Sequence, residues 1–319
     1  VIDGRHIKIS GSIGCKKMDL AETTRSQISQ ADYALMKAKG QGKNRAVLFS
    51  LDHARQAEAR GEVEEALRKA DLADEIGLMF QPQVDLGSGL VTRAEALARW
   101  NSPIVGSIEP DRFIKIAEES GLITGITLVV IEKVLNQLQA WNRPIPISIN
   151  LSSYDLISDT TIDQIVERVS QSGVEPKLIE FEVTETAMMA DFERAAANLE
   201  RLTAIGFSIA LDDFGTGYSN FGYLRNLPID KLKVDKSFIA NPGDPMTEKF
   251  LSSLAGMART LNLHCLLEGV EDEVGLLMAK RAGADSVQGF LFGHPMNAED
   301  LLRAAGDTLA SKTDKKSAA

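Results

Sequence analysis

Ile209-Ala210-Leu211-Asp212-Asp213-Phe214-Gly215-Thr216-Gly217-Tyr218 carries an apolar strand straight into two adjacent carboxylates and a loop with glycines two apart. The apolar run after Gly206-Phe207 reads as a buried strand, and the glycines read as a turn. Successive side chains on an extended backbone point to opposite faces. Asp212 and Asp213 therefore share one site only where the strand finishes and the chain begins to turn, which places them at a rim. Asp is also an ordinary turn residue and Gly supplies positive φ, so taken alone the stretch is equally a solvated turn. The endings of the other strands separate these two readings.

Working outward, strands are expected at 77–82 and 90–96, joined by Asp85-Leu86-Gly87-Ser88-Gly89, a turn too short for a parallel crossover. These two should pair antiparallel. A helix-then-strand rhythm follows, with helices at 111–119, 125–141, 160–171, 191–204, 247–261 and 271–281. Strands fall at 145–150, 178–183, 209–211, 232–235, 264–268 and 286–288. The helices ending at Gly173, Gly206 and Gly283 restart as strands within a few residues, which is the C-cap chemistry of alternating α/β units. Eight strands at intervals of about thirty residues close most naturally as a modified (β/α)8 TIM-like barrel with an antiparallel first strand. An open doubly wound sheet is the alternative, and it lacks a glycine-rich first βα turn.

The 319 residues are 44% hydrophobic with a formal net charge of −10, enough for one large or two modest cores. The acidic balance argues against binding a nucleic-acid polymer or docking on a membrane through a basic face. No apolar run approaches the roughly 18 residues of a membrane span, and no signal-peptide pattern opens the chain. It reads as cytoplasmic. Cys15 and Cys265 have no metal-type spacing and read as two reduced, buried thiols. The chain opens on Val1, which suggests excision from a longer protein, membrane-anchored or not, whose upstream regulatory domains lie outside it.

Seven strands in succession end on polar groups: Glu95, Asn150, Glu182, Asp212 with Asp213, Lys233 with Asp235, Glu268 and Gln288. In a barrel these face one mouth, where barrel enzymes keep their chemistry. A lone acidic residue at a strand end is usually a helix cap or turn former. Gathered together without a partner, such groups would cost several kcal/mol each, so they call for a cation. Carboxylate and amide oxygens without clustered His or Cys select Mg2+ or Mn2+ over zinc. His6, His53, His264 and His294 stand outside the pattern and read as structural or surface residues. The Asp pair lets one carboxylate bridge two ions, and two ions about 4 Å apart would clamp a phosphodiester and acidify a water. Lys233 fits the group that orients that water or the departing oxygen, and equally an ion-pair partner of Asp235 or a neighbouring carboxylate.

Seven motifs in order resemble the EAL domain family: Glu95-Ala96-Leu97-Ala98-Arg99-Trp100, Asn150-Leu151-Ser152, Glu182-Val183-Thr184-Glu185, Asp212 to Gly217, Lys233-Val234-Asp235, Glu268-Gly269-Val270-Glu271 and Gln288-Gly289-Phe290. The resemblance covers residues 72–306. It implies a phosphodiesterase that linearises cyclic-di-GMP to pGpG with Mg2+ or Mn2+. By the same resemblance, Glu95, Asn150, Glu182 and Asp212 surround one metal, and Asp213 with Asp212 holds the second. Glu268 is ligand or general base beside the water, with Lys233 opposite as a catalytic cation. Asp235, Glu271 and Gln288 complete the substrate shell, and Gln81, Leu97 and Arg99 contact the ligand. Glu185 anchors the loop 214–223, which in this family couples metal binding to homodimer contacts. Asn220 and Phe221 depart from the family's usual Ser and Leu there. The competing function is a catalytically silent cyclic-di-GMP sensor, expected of members with eroded motifs; no metal-ligand position is replaced here, which favours the enzyme.

Residues 1–50 read as an incomplete α+β fragment, with strands at 7–15 and 46–49. A helix at 26–39 carries Ile28, Ala31, Ala34, Leu35 and Ala38 on one stripe. Ser12-Ile13-Gly14, Ala31 to Leu35, Ala38-Lys39 and Gly42 to Arg45 resemble the C-terminal end of a GGDEF-type cyclase domain, with Met36 where that family usually has Tyr. The family's signature hairpin is absent, so no cyclase activity is expected in this chain. A charged helix is expected over 51–75, the stretch to residue 71 serving as connector. Its Glu65-Ala66-Leu67 repeats Glu95-Ala96-Leu97 in a mid-helix, solvated setting. The tail 307–319 is expected to be disordered.

Overall fold

The structure, a computed structural model, describes residues 10–215, 224, 227–239 and 245–306. Thr216, Gly217, Tyr218, Asn220 and Phe221 of the glycine loop, His6, the start of the first expected strand and the tail 307–319 lie outside the described residues. The chain divides into two compact units between Lys69 and Ala70.

In the first unit, β1 (Ile13–Cys15) and β2 (Ala46–Leu48) pair in parallel, Ile13 opposite Ala46. Helix α1 (Thr24–Gly40) starts on Thr23, whose hydroxyl accepts from Ser26 N. It lies so close to β1 that a Cβ on Gly14 would stand 2.1 Å from the Ala31 carbonyl oxygen. Ala34 and Ala38 are buried, but Ile28 is 58% exposed, because two three-residue strands are too narrow to cover the whole expected stripe. Cys15 is exposed on the same narrow sheet, contrary to the expected buried thiol, whereas Cys265 is buried. Helix α2 (Leu51–Lys69) stops short of the expected residue 75. Asp71 takes an extended conformation, accepts from Ala73 N at 3.2 Å and caps a new short turn, α3 (Leu72–Glu75), as an N-cap residue does in competition with helix continuation. On α2, Glu65 pairs with Lys69 at 2.7 Å, a solvated i,i+4 contact.

The second unit is a closed barrel. Its strands are β3 (Ile76–Asp85), β4 (Leu90–Ser102), β6 (Ile147–Asn150), β7 (Ile179–Thr184), β8 (Ser208–Phe214), β9 (Lys231–Val234), β10 (His264–Leu267) and β11 (Ser286–Gln288), while the short β5 (Gly106–Ile108) extends β4 at the edge. Strand β3 runs antiparallel to both β4 and β11 and closes the ring; the other barrel pairings are parallel. Helices α4 (Pro110–Ser120), α5 (Ile123–Ala140), α7 (Asp159–Ser172), α9 (Phe192–Ile205), α10 (Pro245–Thr260) and α11 (Glu273–Ala282) fill the crossovers, with single turns α6 (Ser153–Leu156) and α8 (Glu185–Met188) after β6 and β7. Gly173, Gly206 and Gly283 take left-handed φ of 72°, 109° and 81° at the ends of α7, α9 and α11, as expected of C-caps. No helix among the described residues is long and apolar enough to cross a membrane.

The parallel barrel strands are mostly buried on both faces, and their alternation places polar groups inside. In β7, Ile179, Phe181 and Val183 are fully buried on one face, while Glu180 and Glu182 hydrogen-bond with residues of other strands across the interior. Strand β4 runs beyond its expected end at residue 96, because the ladder to β3 continues as far as Trp100 opposite Ile76. Trp100 packs 5.8 Å from the Phe113 ring and donates to Glu75 Oε2 at 2.9 Å. Glu95 is thus in mid-strand by sequence, not at a strand end.

Candidate active site

Four of the expected residues converge on one side chain. Lys233 on β9 is fully buried, with its Nζ 2.5 Å from Glu182 Oε2, 2.8 Å from Glu268 Oε1, 2.9 Å from Asp212 Oδ2 and 3.8 Å from Glu95 Oε2. Asp235, the nearest candidate partner in sequence, instead accepts from Ser237 N at 2.9 Å. Glu95 accepts from Asn150 Nδ2 at 2.8 Å and from Gln288 Nε2 at 2.6 Å. Gln288 also donates to Gln81 at 3.2 Å, and its own buried Oε1 has no hydrogen-bond partner in the protein.

The two aspartates share the site by a bulge. The β8–β9 register shifts between Leu211 and Phe214, and Asp213 adopts φ of 53°, rare for a residue with a Cβ. Asp213 N donates to Asp212 Oδ1 at 2.8 Å. Phe214 then pairs with Val234, so the strand resumes after the carboxylates rather than ending on them. With one residue turned out of the pleat, Asp212, Asp213 and Glu268 bring carboxylate oxygens within 4.8 Å of one another.

Charge is unbalanced here. Glu95, Glu182, Asp212, Asp213 and Glu268 face one ammonium group. Burial, reinforced by Asp212 and Glu95 against the pull of Lys233, pushes the Glu268 carboxyl up to about 7. Burial and Glu95 likewise raise Glu182, and burial with Asp212 raises Asp213. Burial pulls the Lys233 ammonium down, but Asp212, Glu182, Glu268 and Glu95 together hold it well above its ordinary value. The donors are carboxylate and amide oxygens without His or Cys, a set that fits hard divalent ions.

Leu97 and Arg99 lie further along β4 and line, with Asn150, Ile126 and Met189, an apolar cavity of about 840 Å³. Arg99 Nη1 donates to the Ala98 carbonyl at 2.9 Å. Asp235 and Glu271 line a separate cleft of about 490 Å³ with Gly269, although Asp235 is close enough to Asp213 to raise it. Gln81 donates to the Gly293 carbonyl at 3.4 Å, and Glu185 is buried at the start of α8. Most of the loop it was expected to anchor lies outside the described residues.

One buried polar layer escaped the strand-end reading. Ser148, Glu180 and Lys231 stand two residues before Asn150, Glu182 and Lys233, and with Gln83 they form a buried hydrogen-bonded group. The signal was present in the period of two, which sends i and i−2 to the same face. His264 belongs to this depth and contacts Ser286 at 2.8 Å, consistent with a structural role.

The sequence profile described as the EAL domain matches residues 64–295. The chain is 34% identical over 312 residues to the cyclic di-GMP phosphodiesterase NbdA of Pseudomonas aeruginosa, covering 95% of this chain and 40% of that protein. It is 35% identical over 307 residues to the bifunctional diguanylate cyclase/cyclic di-GMP phosphodiesterase MucR of the same organism, covering 94% and 45%. The chain therefore spans less than half the length of either relative. Among solved structures, the MucR phosphodiesterase in complex with c-di-GMP superposes with a TM-score of 0.70 at 35% identity, covering 76% of this chain and 99% of that one. The EAL domain of Mycobacterium smegmatis DcpA gives 0.63 at 27% identity, covering 73% and 98%. The family profile spans most of the chain and its barrel is shared with solved EAL domains, so the chain belongs to the EAL domain family.

Proposed function

We propose that this chain hydrolyses cyclic-di-GMP to linear pGpG with two divalent ions, Mg2+ or Mn2+, bound at the barrel mouth. The observation that carries the reading is the excess of carboxylates around the single Lys233 ammonium, a charge pattern that ions of opposite sign would balance. Glu95, Asn150, Glu182 and Asp212 would hold the first ion, and Asp212 with Asp213 the second. When bound, the ions supply an acidified water and positive charge against the diester.

Glu268 takes the proton of the attacking water, its carboxyl near 7 being suited to exchange at neutral pH. Lys233 keeps its proton and orients the water or the departing oxygen. Arg99 sets a guanidinium against phosphate, and Gln81 and Leu97 position the ligand beside the apolar cavity. Asp235, Glu271 and Gln288 complete the surroundings, and Glu185 and a homodimer belong to the same reading. The names of the relatives support the substrate and the reaction class.

Residues 1–50 read as the end of a GGDEF-type domain, a reading supported by alignments that reach across 94% of the chain to a relative named for diguanylate cyclase activity. The two free cysteines support a reducing, cytoplasmic setting. The test is incubation of the chain with cyclic-di-GMP and Mg2+ or Mn2+, read by chromatography. Formation of pGpG that stops in Glu95→Ala supports the reading, and normal turnover in that variant refutes the assignment.

A further inference from the structure

Below the carboxylates of the mouth, Lys231 Nζ donates to Glu180 Oε1 at 2.7 Å and to Gln83 Oε1 at 3.0 Å. Ser148 Oγ donates to the same Glu180 oxygen at 2.7 Å, and Arg93 Nε lies 3.6 Å from the other. Gln83, Ser148, Glu180 and Lys231 are all buried. A buried ion pair offers little net stability over apolar residues of similar volume, so a hydrophobic layer would hold the barrel as well. What it could not do is orient an amide. With Oε1 of Gln83 held by the Lys231 ammonium, the amide has one orientation left, and its Nε2 faces Glu182 Oε1 at 3.4 Å. The other oxygen of Glu182 accepts from Lys233 at 2.5 Å.

We propose that Gln83, locked by the Lys231–Glu180 pair, is a positioning residue for Glu182: it fixes the rotation of that carboxylate and thereby sets its affinity for a divalent ion. The terminal torsion of a glutamate is broad and roughly two-fold, so a carboxylate gripped at one oxygen alone can turn. Partners that orient a ligating side chain are worth about 10–100-fold in metal affinity. The inference rests on the reading of Glu182 as a metal ligand.

The test is Mn2+ binding to the whole chain without substrate, followed by electron paramagnetic resonance, beside the unfolding transition of the metal-free protein. Gln83→Met keeps length and loses both hydrogen bonds, and should bind Mn2+ about 10-fold or more weakly while still unfolding cooperatively. The double variant Lys231→Met/Glu180→Gln removes both charges together, leaves the amide free to turn and should show the same loss, which keeps the test open if Gln83→Met does not fold. A purely structural role would lower the unfolding midpoint and leave the Mn2+ affinity of the folded protein unchanged; that result in either folded variant overturns the proposal. Absence of saturable Mn2+ binding in the unmodified chain would overturn the metal reading together with it.

Discussion

Two polar layers lie inside one barrel, two residues apart along β6, β7 and β9, and they differ in charge balance. In the deeper layer Glu180 is matched by Lys231 and Arg93, and those cations with Ser148 hold its carboxyl below the usual range although burial opposes them. At the mouth several carboxylates share Lys233, and Glu182 and Glu268 are raised by burial and by one another's neighbours. Matched buried charge fixes geometry, whereas unmatched buried charge marks where a ligand of opposite sign belongs. The same residue types thus do different work according to whether the fold supplies their counterions.

The comparison breaks first at Asp212. Asp212→Asn should lower hydrolysis by roughly 1000-fold, as loss of a group that meets developing charge does, with the cooperative unfolding of the chain retained. Retained turnover would mean that the mouth is no more functional than the layer beneath it. In the deeper layer the larger effect should be on stability: Lys231→Met leaves Glu180 without its nearest cation and should cost about 3 kcal/mol in urea denaturation.

The pH response sharpens the contrast. The fold favours protonated Glu268, whose carboxyl sits at about 7 instead of 4.5. Its contribution to metal-free stability is therefore whole below pH 4.5 and lost as pH rises through about 7. A divalent ion relieves that loss, so the rise in melting temperature given by Mn2+ should be greater near about pH 8 than near about pH 5. The smallest effect is expected at the repeated tripeptide on α2, where Glu65→Gln removes a solvated pair with Lys69 and should leave hydrolysis unchanged.

The barrel was legible because its units are punctuated: Gly173, Gly206 and Gly283 stop helices by the left-handed conformation they alone adopt cheaply, and each is followed by an apolar strand. The residues gathered at the mouth were legible as polar groups interrupting apolar strands. How they gather was not. Asp213 reaches Asp212 through a bulge with positive φ, which no side-chain pattern announces for an aspartate. Glu95 reaches the site from mid-strand, since the length of β4 is set by its ladder to β3 and by the burial of Trp100. The partners of Lys233 come from β4, β7, β8 and the end of β10, separations that only closure of the barrel resolves. In the first unit, the exposed Ile28 and Cys15 show the converse: an apolar residue is buried only if enough sheet stands opposite it.

The most direct measurement is the product formed from cyclic-di-GMP by the unmodified chain with Mn2+, resolved by chromatography against a sample stripped of metal by chelator. Linear pGpG that accumulates with the ion and ceases without it is the predicted result. Dinucleotide recovered intact from the protein after prolonged exposure to the ion would contradict the assignment and leave a receptor in place of an enzyme.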